Sequence, residues 1–344
     1  MRAIISTSRA VKAIAQREVV GAFMGCAALV ASLTGFGHSA CAQTSWPSRQ
    51  VSLVVPYPPG GYLDVVARLV AERLQQSSKQ TVLVINRPGG NGQVGLRSVS
   101  KAEPDGYTLL VNNDGGIALQ AVFDPNFQFD PLQDYTPVAQ IVASTYYLIV
   151  RSSLPAANVR ELIDFVRKSG KELAYGSPGQ GTTPHIGMEY FTRQVGVQGL
   201  HVPYSGTVAG LNDMVGGQID AYMSSMSNIA SFVERGQIRV LAAVSTTRSP
   251  QFKDIPTIAE AGVPDFSVPG WLGLFGPPGL AVELRASISK AIADTVREPS
   301  LSARLQSIFV EPTPLESAEF APFYVSEIRK WSKFKADANI KIDP

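Results

Sequence analysis

Short apolar runs alternate with amphipathic helical patterns through the first third of this 344-residue chain, and this alternation restricts the fold more than any other feature. Residues 50–55, 82–85 and 107–111 predict buried strands. The segment between the first two runs places four apolar residues on one helical face: Leu63, Val66, Val70 and Leu74. Strands that alternate with helices predict a parallel sheet with helices on both faces.

The middle of the chain repeats this order of elements. Tyr146 to Val150 predicts a strand, and the pair Asn158 and Glu161 predicts the capped start of a helix. Further strands are predicted at residues 201–203, 219–223 and 240–244. The repetition indicates a second α/β unit rather than a longer first one.

The last quarter of the chain has helical patterns. Thr257 with Glu260 predicts a short capped helix that Gly262 and Pro264 stop, and residues 282–295 predict a longer one. Residues 313–316 form a capping-box pattern with proline at the first helical position, which predicts the start of the last helix.

These patterns predict two α/β lobes, each with a mostly parallel sheet flanked by helices, and a ligand cleft between the lobes. The predicted domains are a leader at residues 1–42, a first lobe at 43–145 and 272–344, and a second lobe at 146–271. The chain is expected to cross between the lobes near residues 141–146 and 269–274, and the C-terminal helices to return to the first lobe.

The leader has the pattern of an export signal. Four basic residues precede an apolar run at 19–33, which is shorter than a bilayer requires. Ala40-Cys41-Ala42 then supplies an A-x-A cleavage site before Gln43. We therefore expect cleavage near Ala42 and an exported mature protein, and the less favoured alternative is a lipid anchor on Cys41.

Cleavage would change the composition of the protein. Cys26 and Cys41 both leave with the leader, so the mature chain would have no disulfide and would depend on its core. The leader carries a net charge of +3 within a total of +2, which leaves a mature chain close to −1. This near-neutral charge without a basic block argues against nucleic-acid and membrane-surface binding.

Two glycine-rich loops follow predicted strands and precede predicted helices, at residues 56–61 and 177–183. A helix N-terminus offers unpaired N–H groups and a partial positive charge, which favour an anion. One such loop from each lobe would hold a carboxylate across the cleft like pincers. Each loop alone is also compatible with an ordinary turn that binds nothing.

Other patterns indicate chemistry more weakly. Ser177 with His201 suggests a secreted hydrolase, although Ser177 lies outside a complete G-x-S-x-G motif. His185 and Glu189 have a spacing compatible with two metal ligands on a helix, but no third histidine or cysteine lies nearby. Pro184 replaces the third glycine of a dinucleotide fingerprint. We therefore expect no catalytic residues, no metal and no cofactor.

The motifs, taken in order, resemble those of the substrate-binding proteins of tripartite tricarboxylate transporters, the Bug or TctC family of bacterial periplasmic receptors. The resemblance covers nearly the whole mature chain and is carried by eight stretches: VVPYPPGGYLD, NRPGGNGQVG, PDGYTLL, YGSPGQGTTPH, HVPYSG, GGQID, IPTIAEAGVP and WLGLFGPPG. It implies a monomeric type II periplasmic-binding-protein fold that closes over a small organic carboxylate. The closed receptor would deliver this ligand to a two-subunit membrane permease.

The resemblance also implies which residues bind the ligand. The two loops that hold one carboxylate would contribute Tyr57, Pro59, Gly60, Gly61, Tyr62, Asp64, Ser177, Gly181, Thr182, Thr183 and His185. The far end of the ligand would be read by Asn113, Asp114, Tyr204, Thr207, Ser224 and Ser225.

Two departures from the family pattern bear on the ligand. Ser224 stands where members often have an aspartate, which would favour a second carboxylate, whereas Asp114 adds a negative charge near the cleft. Tyr57, Tyr62 and Trp271 would be placed to flank an aromatic ring, although Trp271 also fits core packing. We expect a dicarboxylate, with an aromatic one such as a phthalate isomer as a specific candidate.

The cellular role has an alternative to transport. The protein would then be a ligand sensor that signals to a membrane kinase.

Overall fold

A computed structural model describes residues 46–338, and the predicted leader lies outside these residues. The first sheet has five strands: β1 (Val51–Val55), β2 (Val82–Asn86), β3 (Thr108–Asn113), β4 (Thr136–Ser144) and β10 (Gly270–Gly276). Their order is β2-β1-β3-β10-β4. Only β10 is antiparallel to its neighbours, so the other four strands run in one direction.

The second sheet has the same design. Its strands are β5 (Tyr146–Arg151), β6 (Leu173–Ser177), β7 (Gly199–Pro203), β8 (Ala221–Ser225) and β9 (Ile238–Ala243). Their order is β7-β6-β8-β5-β9, and only β5 runs against the others. The two mostly parallel sheets predicted from the sequence are therefore confirmed.

Helices flank both sheets, as the alternating pattern predicts. They are α1 (Tyr62–Ser78), α2 (Gln93–Ser100), α3 (Gln120–Phe123), α4 (Val159–Ser169), α5 (Thr183–Gln194), α6 (Thr207–Val215), α7 (Met226–Glu234), α8 (Val282–Arg297), α9 (Pro299–Ser307) and α10 (Ser317–Ala338). A π-helix, Asp114–Leu119, connects β3 to α3. The apolar face predicted for α1 is buried against the first sheet. No helix among the described residues is both long enough and apolar enough to cross a membrane.

The predicted start of the last helix at residues 313–316 is wrong. The chain there is extended along β4: the Ala143 N–H donates to the Glu311 carbonyl oxygen, and the Gln140 N–H donates to that of Leu315, both at 3.0 Å. Pro314 fits this edge position because it needs no backbone donor there. The helix α10 consequently begins only at Ser317.

The predicted helix after Thr257 is reduced to a single turn. Its capping pair does form, since Glu260 Oε2 accepts the Thr257 N–H at 2.7 Å and Thr257 Oγ1 accepts the Glu260 N–H at 3.2 Å. Gly262, at φ +103°, then takes the chain out of the helical conformation. The predicted cap and the predicted stop at Gly262 are both confirmed, and the segment between them forms a single turn rather than a helix.

The two segments predicted as crossings between lobes are largely strand. Residues 141–144 complete β4, and β10 begins at Gly270. The chain passes from the first sheet to the second at Thr145, the single residue between β4 and β5.

The helix α10 packs against both lobes. Phe320 and Tyr324 in its first half pack edge-on against Trp271 of the first sheet. Trp331 in its second half packs against Tyr190 of α5, beside the second sheet. The helix therefore ties the two lobes together in addition to their short connection at Thr145.

Candidate ligand-binding site

A cavity of about 660 Å³ lies between the two sheets. Most of its lining comes from segments that follow the carboxyl ends of parallel strands, within residues 57–64, 113–116, 178–184 and 224–228. This is the place where open α/β sheets bind ligands, because the loops and helix N-termini converge there. The volume is within the range of pockets that enclose small molecules.

The first loop is held in place by Asp64 of α1. One carboxylate oxygen of Asp64 accepts the Gly60 N–H at 2.9 Å and the Arg68 Nε–H at 3.0 Å. The other accepts from the side-chain amide of Asn86 at 2.9 Å. Burial alone would raise the pKa of Asp64, but these donors lower it overall, so the group is ionised.

The second loop is closed by its own hydrogen bonds. Ser177 Oγ donates to the Gly179 carbonyl oxygen at 2.9 Å, and Thr182 Oγ1 donates to the same oxygen at 2.7 Å. Gly181, at φ +73°, has a backbone conformation that favours glycine, and its N–H donates to His185 Nδ1 at 3.0 Å. Helix α5 starts directly after this loop, so its N-terminus faces the cavity.

Two stacked histidines support the second loop from behind. The rings of His185 and His201 are 3.8 Å apart, and His201 Nε2 lies 2.7 Å from Ser177 Oγ. Burial lowers the pKa of His185 to about 3, with His201 adding to the effect, and burial also lowers the pKa of His201. Both rings are therefore neutral near pH 7, and His185 carries its proton on Nε2 because Nδ1 accepts from Gly181.

Asp114 connects the two lobes inside the cavity. It is the first residue of the π-helix, its side chain is 4% exposed, and Oδ2 accepts the Thr183 hydroxyl of α5 at 2.6 Å. Burial raises the pKa of Asp114 to about 7, although the hydrogen bond from Thr183 opposes this. Asp114 therefore titrates near neutral pH, next to the N-terminus of helix α5.

The charged side chains among the described residues that line the cavity are all acidic: Asp64, Asp114 and Asp124. Asp64 is paired with Arg68 at 2.9 Å, but the lining has no lysine, arginine or histidine. The described residues also contain no group of three potential metal-binding side chains. Positive potential in the cavity consequently comes from backbone N–H groups at helix N-termini.

A family model described as the tripartite tricarboxylate transporter family receptor matches residues 66–340. The chain belongs to this receptor family. A relative from a Pseudomonas species, described as the UPF0065 protein in the tcbD-tcbE intergenic region, is 32% identical over 294 residues. The alignment covers 84% of this receptor chain and 86% of that protein.

Solved structures show the same receptor fold. The R. palustris protein Rpa4515 with adipate is 33% identical, with a TM-score of 0.73, over 86% of this chain and 99% of that one. MatC from Rhodopseudomonas palustris with bound malate is 27% identical, with a TM-score of 0.68, over 84% and 99%. These likenesses confirm the predicted two-lobed periplasmic-binding-protein fold.

The structure brings most of the predicted site residues of the receptor together. Those that line the cavity are Tyr57, Gly61, Tyr62, Asp64, Asn113, Asp114, Gly181, Thr182, Thr183, Thr207, Ser224 and Ser225. They come from both lobes, as the pincer prediction requires. Contact of each residue with a ligand stays a prediction.

Five predicted residues do not line the cavity. Pro59 and Gly60 are exposed on the outside of the first loop, whereas Ser177 and His185 are buried behind the second. The backbone N–H of Tyr204 donates to the Ser177 carbonyl oxygen at 3.0 Å, so Tyr204 also lies behind this loop. The observed hydrogen bonds of Gly60, Ser177, His185 and Tyr204 support a role in shaping the receptor's loops.

Sequence reasoning missed several residues of the cavity wall, notably Gln120, Ser144, Tyr146 and Asn228. They lie at strand ends or in short helices, where no sequence motif marks them. The order of the strands in the sheets would identify them, because it determines which strand ends face the cavity. Trp271 lines the cavity and is also 2% exposed within the aromatic cluster around Phe320. The core packing expected for Trp271 is therefore confirmed.

Proposed function

We propose that this protein is a periplasmic receptor that captures a small organic carboxylate and delivers it to the membrane permease of a tripartite tricarboxylate-type transporter. The observation that carries this proposal is the convergence of the two glycine-rich loops on one cavity, each at the start of a helix, α1 or α5. Helix N-termini stabilise an anion without a cationic side chain, which fits a cavity lining that contains no lysine, arginine or histidine among the described residues.

The ligand class that we propose is a dicarboxylate, including aromatic ones. The adipate and malate bound by the two R. palustris proteins are dicarboxylates, which supports this class. Tyr57, Tyr62 and Tyr146 line the cavity and offer ring surfaces for an aromatic skeleton such as a phthalate isomer. Ser224, in place of an acidic residue, removes one charge that would repel a second carboxylate.

A thermal-shift panel on the protein from Gln43 onward tests this function. The panel contains aliphatic mono-, di- and tricarboxylates, amino acids and benzene carboxylates, each paired with its uncharged amide as a control. A ligand at a hundredfold excess over Kd stabilises the folded protein by about 2.7 kcal/mol, so a true ligand gives a clear shift. Absence of a shift with every carboxylate, from folded and ligand-free protein, would contradict carboxylate capture.

Two experiments address the cellular role. The mass of the mature protein purified from the periplasm tests the predicted removal of residues 1–42. Cross-linking of the ligand-loaded receptor in membranes tests delivery: recovery of a permease subunit supports transport, whereas recovery of a kinase supports the sensor alternative.

The observed geometry does not favour the hydrolase alternative. Ser177 Oγ lies 2.7 Å from His201 Nε2, as a nucleophile and its base would. However, the side chain of Ser177 is fully buried, and its hydroxyl proton is donated to the Gly179 carbonyl oxygen. A buried hydroxyl that supports a loop has no path to a substrate carbonyl. Activity against ester substrates that disappears in Ser177→Ala would restore this alternative.

A further inference from the structure

The N-terminus of helix α5 would attract an anionic ligand, and Asp114 places a fixed carboxylate next to it. Its Oδ2 accepts the hydroxyl of Thr183, which is the first residue of α5. The side chain is 4% exposed and lines the cavity. A ligand that occupies this part of the cavity therefore meets a buried acidic group as well as the N-terminus of the helix.

The groups that face Asp114 do not supply a free positive charge. On α10, Lys330 Nζ lies 3.4 Å from Glu327 Oε1 and donates to the Ser267 carbonyl oxygen at 2.7 Å, so its charge is compensated. Glu327 adds a further negative charge, which raises the pKa of Asp114.

The neighbouring elements offer neutral groups and one carboxylate that is already paired. The loop after β1 presents the hydroxyls of Tyr57 and Tyr62, β5 presents that of Tyr146, and burial raises the pKa of all three. Trp271 of β10 contributes an indole, and its Nε1–H has no partner among the described residues. Asp64 of α1 is already paired with Arg68.

A fully ionised carboxylate next to Asp114 would leave two like charges in a cavity without a cation. Two carboxyl groups in such a place share one proton, because the charged pair is unfavourable at low dielectric. A hydroxyl or an ammonium group avoids the problem by donating its own proton to the carboxylate.

We propose that Asp114 is a specificity-determining residue that selects ligands presenting a proton-bearing group, which is a hydroxyl, an ammonium or a protonated carboxyl group, to its carboxylate. This inference rests on the proposed carboxylate-receptor function. Because the pKa of Asp114 is about 7, the shared proton is available near neutral pH and is lost above it.

Calorimetric titrations with four-carbon probes distinguish the three sources of the proton. Succinate has two carboxylates. Malate has the same two carboxylates and a hydroxyl group, and L-aspartate has them with an ammonium group. Butyrate has one carboxylate and none of the other groups. Between pH 7 and pH 8.5 the carboxylates of all four stay ionised. We expect the affinity for succinate to fall by about tenfold over this range, because binding takes up one proton. The affinity for malate or L-aspartate should not fall, because their donor groups pair with the ionised form of Asp114, which increases over this range.

The variant Asp114→Asn keeps the size of the side chain and an acceptor for Thr183 but removes the titrating charge. We expect it to bind succinate with no pH dependence between pH 7 and pH 8.5 and to lose any preference for L-aspartate. The matched control is Asp294→Asn on the exposed face of α8, which removes one negative charge far from the cavity and should behave as the wild type. If Asp114→Asn does not fold, calorimetry of the wild type in two buffers of different ionisation enthalpy measures whether succinate binding takes up a proton. Absence of proton uptake would overturn the proposal.

The outcomes separate this inference from the function on which it rests. An unchanged pH profile and an unchanged order of probes in Asp114→Asn would overturn the role of Asp114 and leave carboxylate capture intact. Failure of all four probes to bind the wild type would overturn the inference as stated. Silence of the whole thermal-shift panel would overturn the carboxylate receptor itself.

Discussion

Asp64 is the residue on which the first loop most depends, because it joins the loop backbone at Gly60 to Arg68 and Asn86. In Asp64→Asn one acceptor becomes a donor, and the ion pair with Arg68 is lost. We expect the free energy of unfolding to fall by about 2 kcal/mol, the scale of hydrogen bonds to a charged group. The affinity for the carboxylate ligand should fall as well, because the loop loses its anchor. Urea denaturation and calorimetry measure the two effects.

Asp105→Asn is the matched control for this change. Asp105 also pairs with an arginine, Arg49, at 2.7 Å, but the two side chains are 43% and 58% exposed. Exposed pairs contribute about 0–1 kcal/mol, so this variant should lose little stability and bind normally. Equal losses in both variants would show that Asp64 does not organise the loop.

At the scale of elements, the start of α4 tests how far a local signal determines structure. Asn158 Oδ1 accepts the Glu161 N–H at 2.9 Å, and Glu161 Oε2 accepts the Ala157 N–H at 2.7 Å. Asn158→Ala should lower the free energy of unfolding by about 1 kcal/mol, because a helix N–H loses its partner. Asn212→Ala is the control, since Asn212 lies exposed within α6 and does not cap a helix. A loss of similar size in the control would argue against the cap.

Caps of this kind were predictable because their hydrogen bonds join residues three or four apart. The stop at Gly262 was predictable for the same reason, whereas the reduction of the segment after the Thr257–Glu260 cap to a single turn was not. The place of β10 between β3 and β4 depends on pairings across more than a hundred residues, so no local pattern indicates it.

The two loops of the candidate site were likewise predictable from their own residues, but the wall between them was not. Ser144 and Tyr146 line the cavity because β4 ends and β5 begins there, and both facts follow from the sheet order. The hydrogen bond of Asp114 with Thr183 joins residues 69 apart on different lobes. Such contacts are set by how the lobes meet, which the sequence pattern of each lobe leaves open.

For the whole molecule, His185 and Asp114 make stability depend on pH in opposite directions. The pKa of His185 is lowered to about 3, so between pH 6.5 and pH 3 the unfolded chain binds a proton that the folded protein does not. Stability from this group falls as the pH falls. The pKa of Asp114 is raised from 3.8 to about 7, so between these values the folded protein holds the extra proton. Stability from Asp114 therefore rises as the pH falls below 7.

These opposite signs predict how two variants diverge from the wild type on acidification from pH 7.5 to pH 5. Asp114→Asn should lose stability more steeply than the wild type, whereas His185→Asn should lose it less steeply or gain it. Each group changes the slope by at most about 1.4 kcal/mol per pH unit. Urea denaturation at three pH values gives the slope of the free energy of unfolding against pH for each variant. A loss of stability that is equal at every pH leaves this slope unchanged, so it does not affect the comparison. If both variants kept the slope of the wild type, neither group would titrate as its surroundings require, and His201, whose pKa burial also lowers, would become the next group to test.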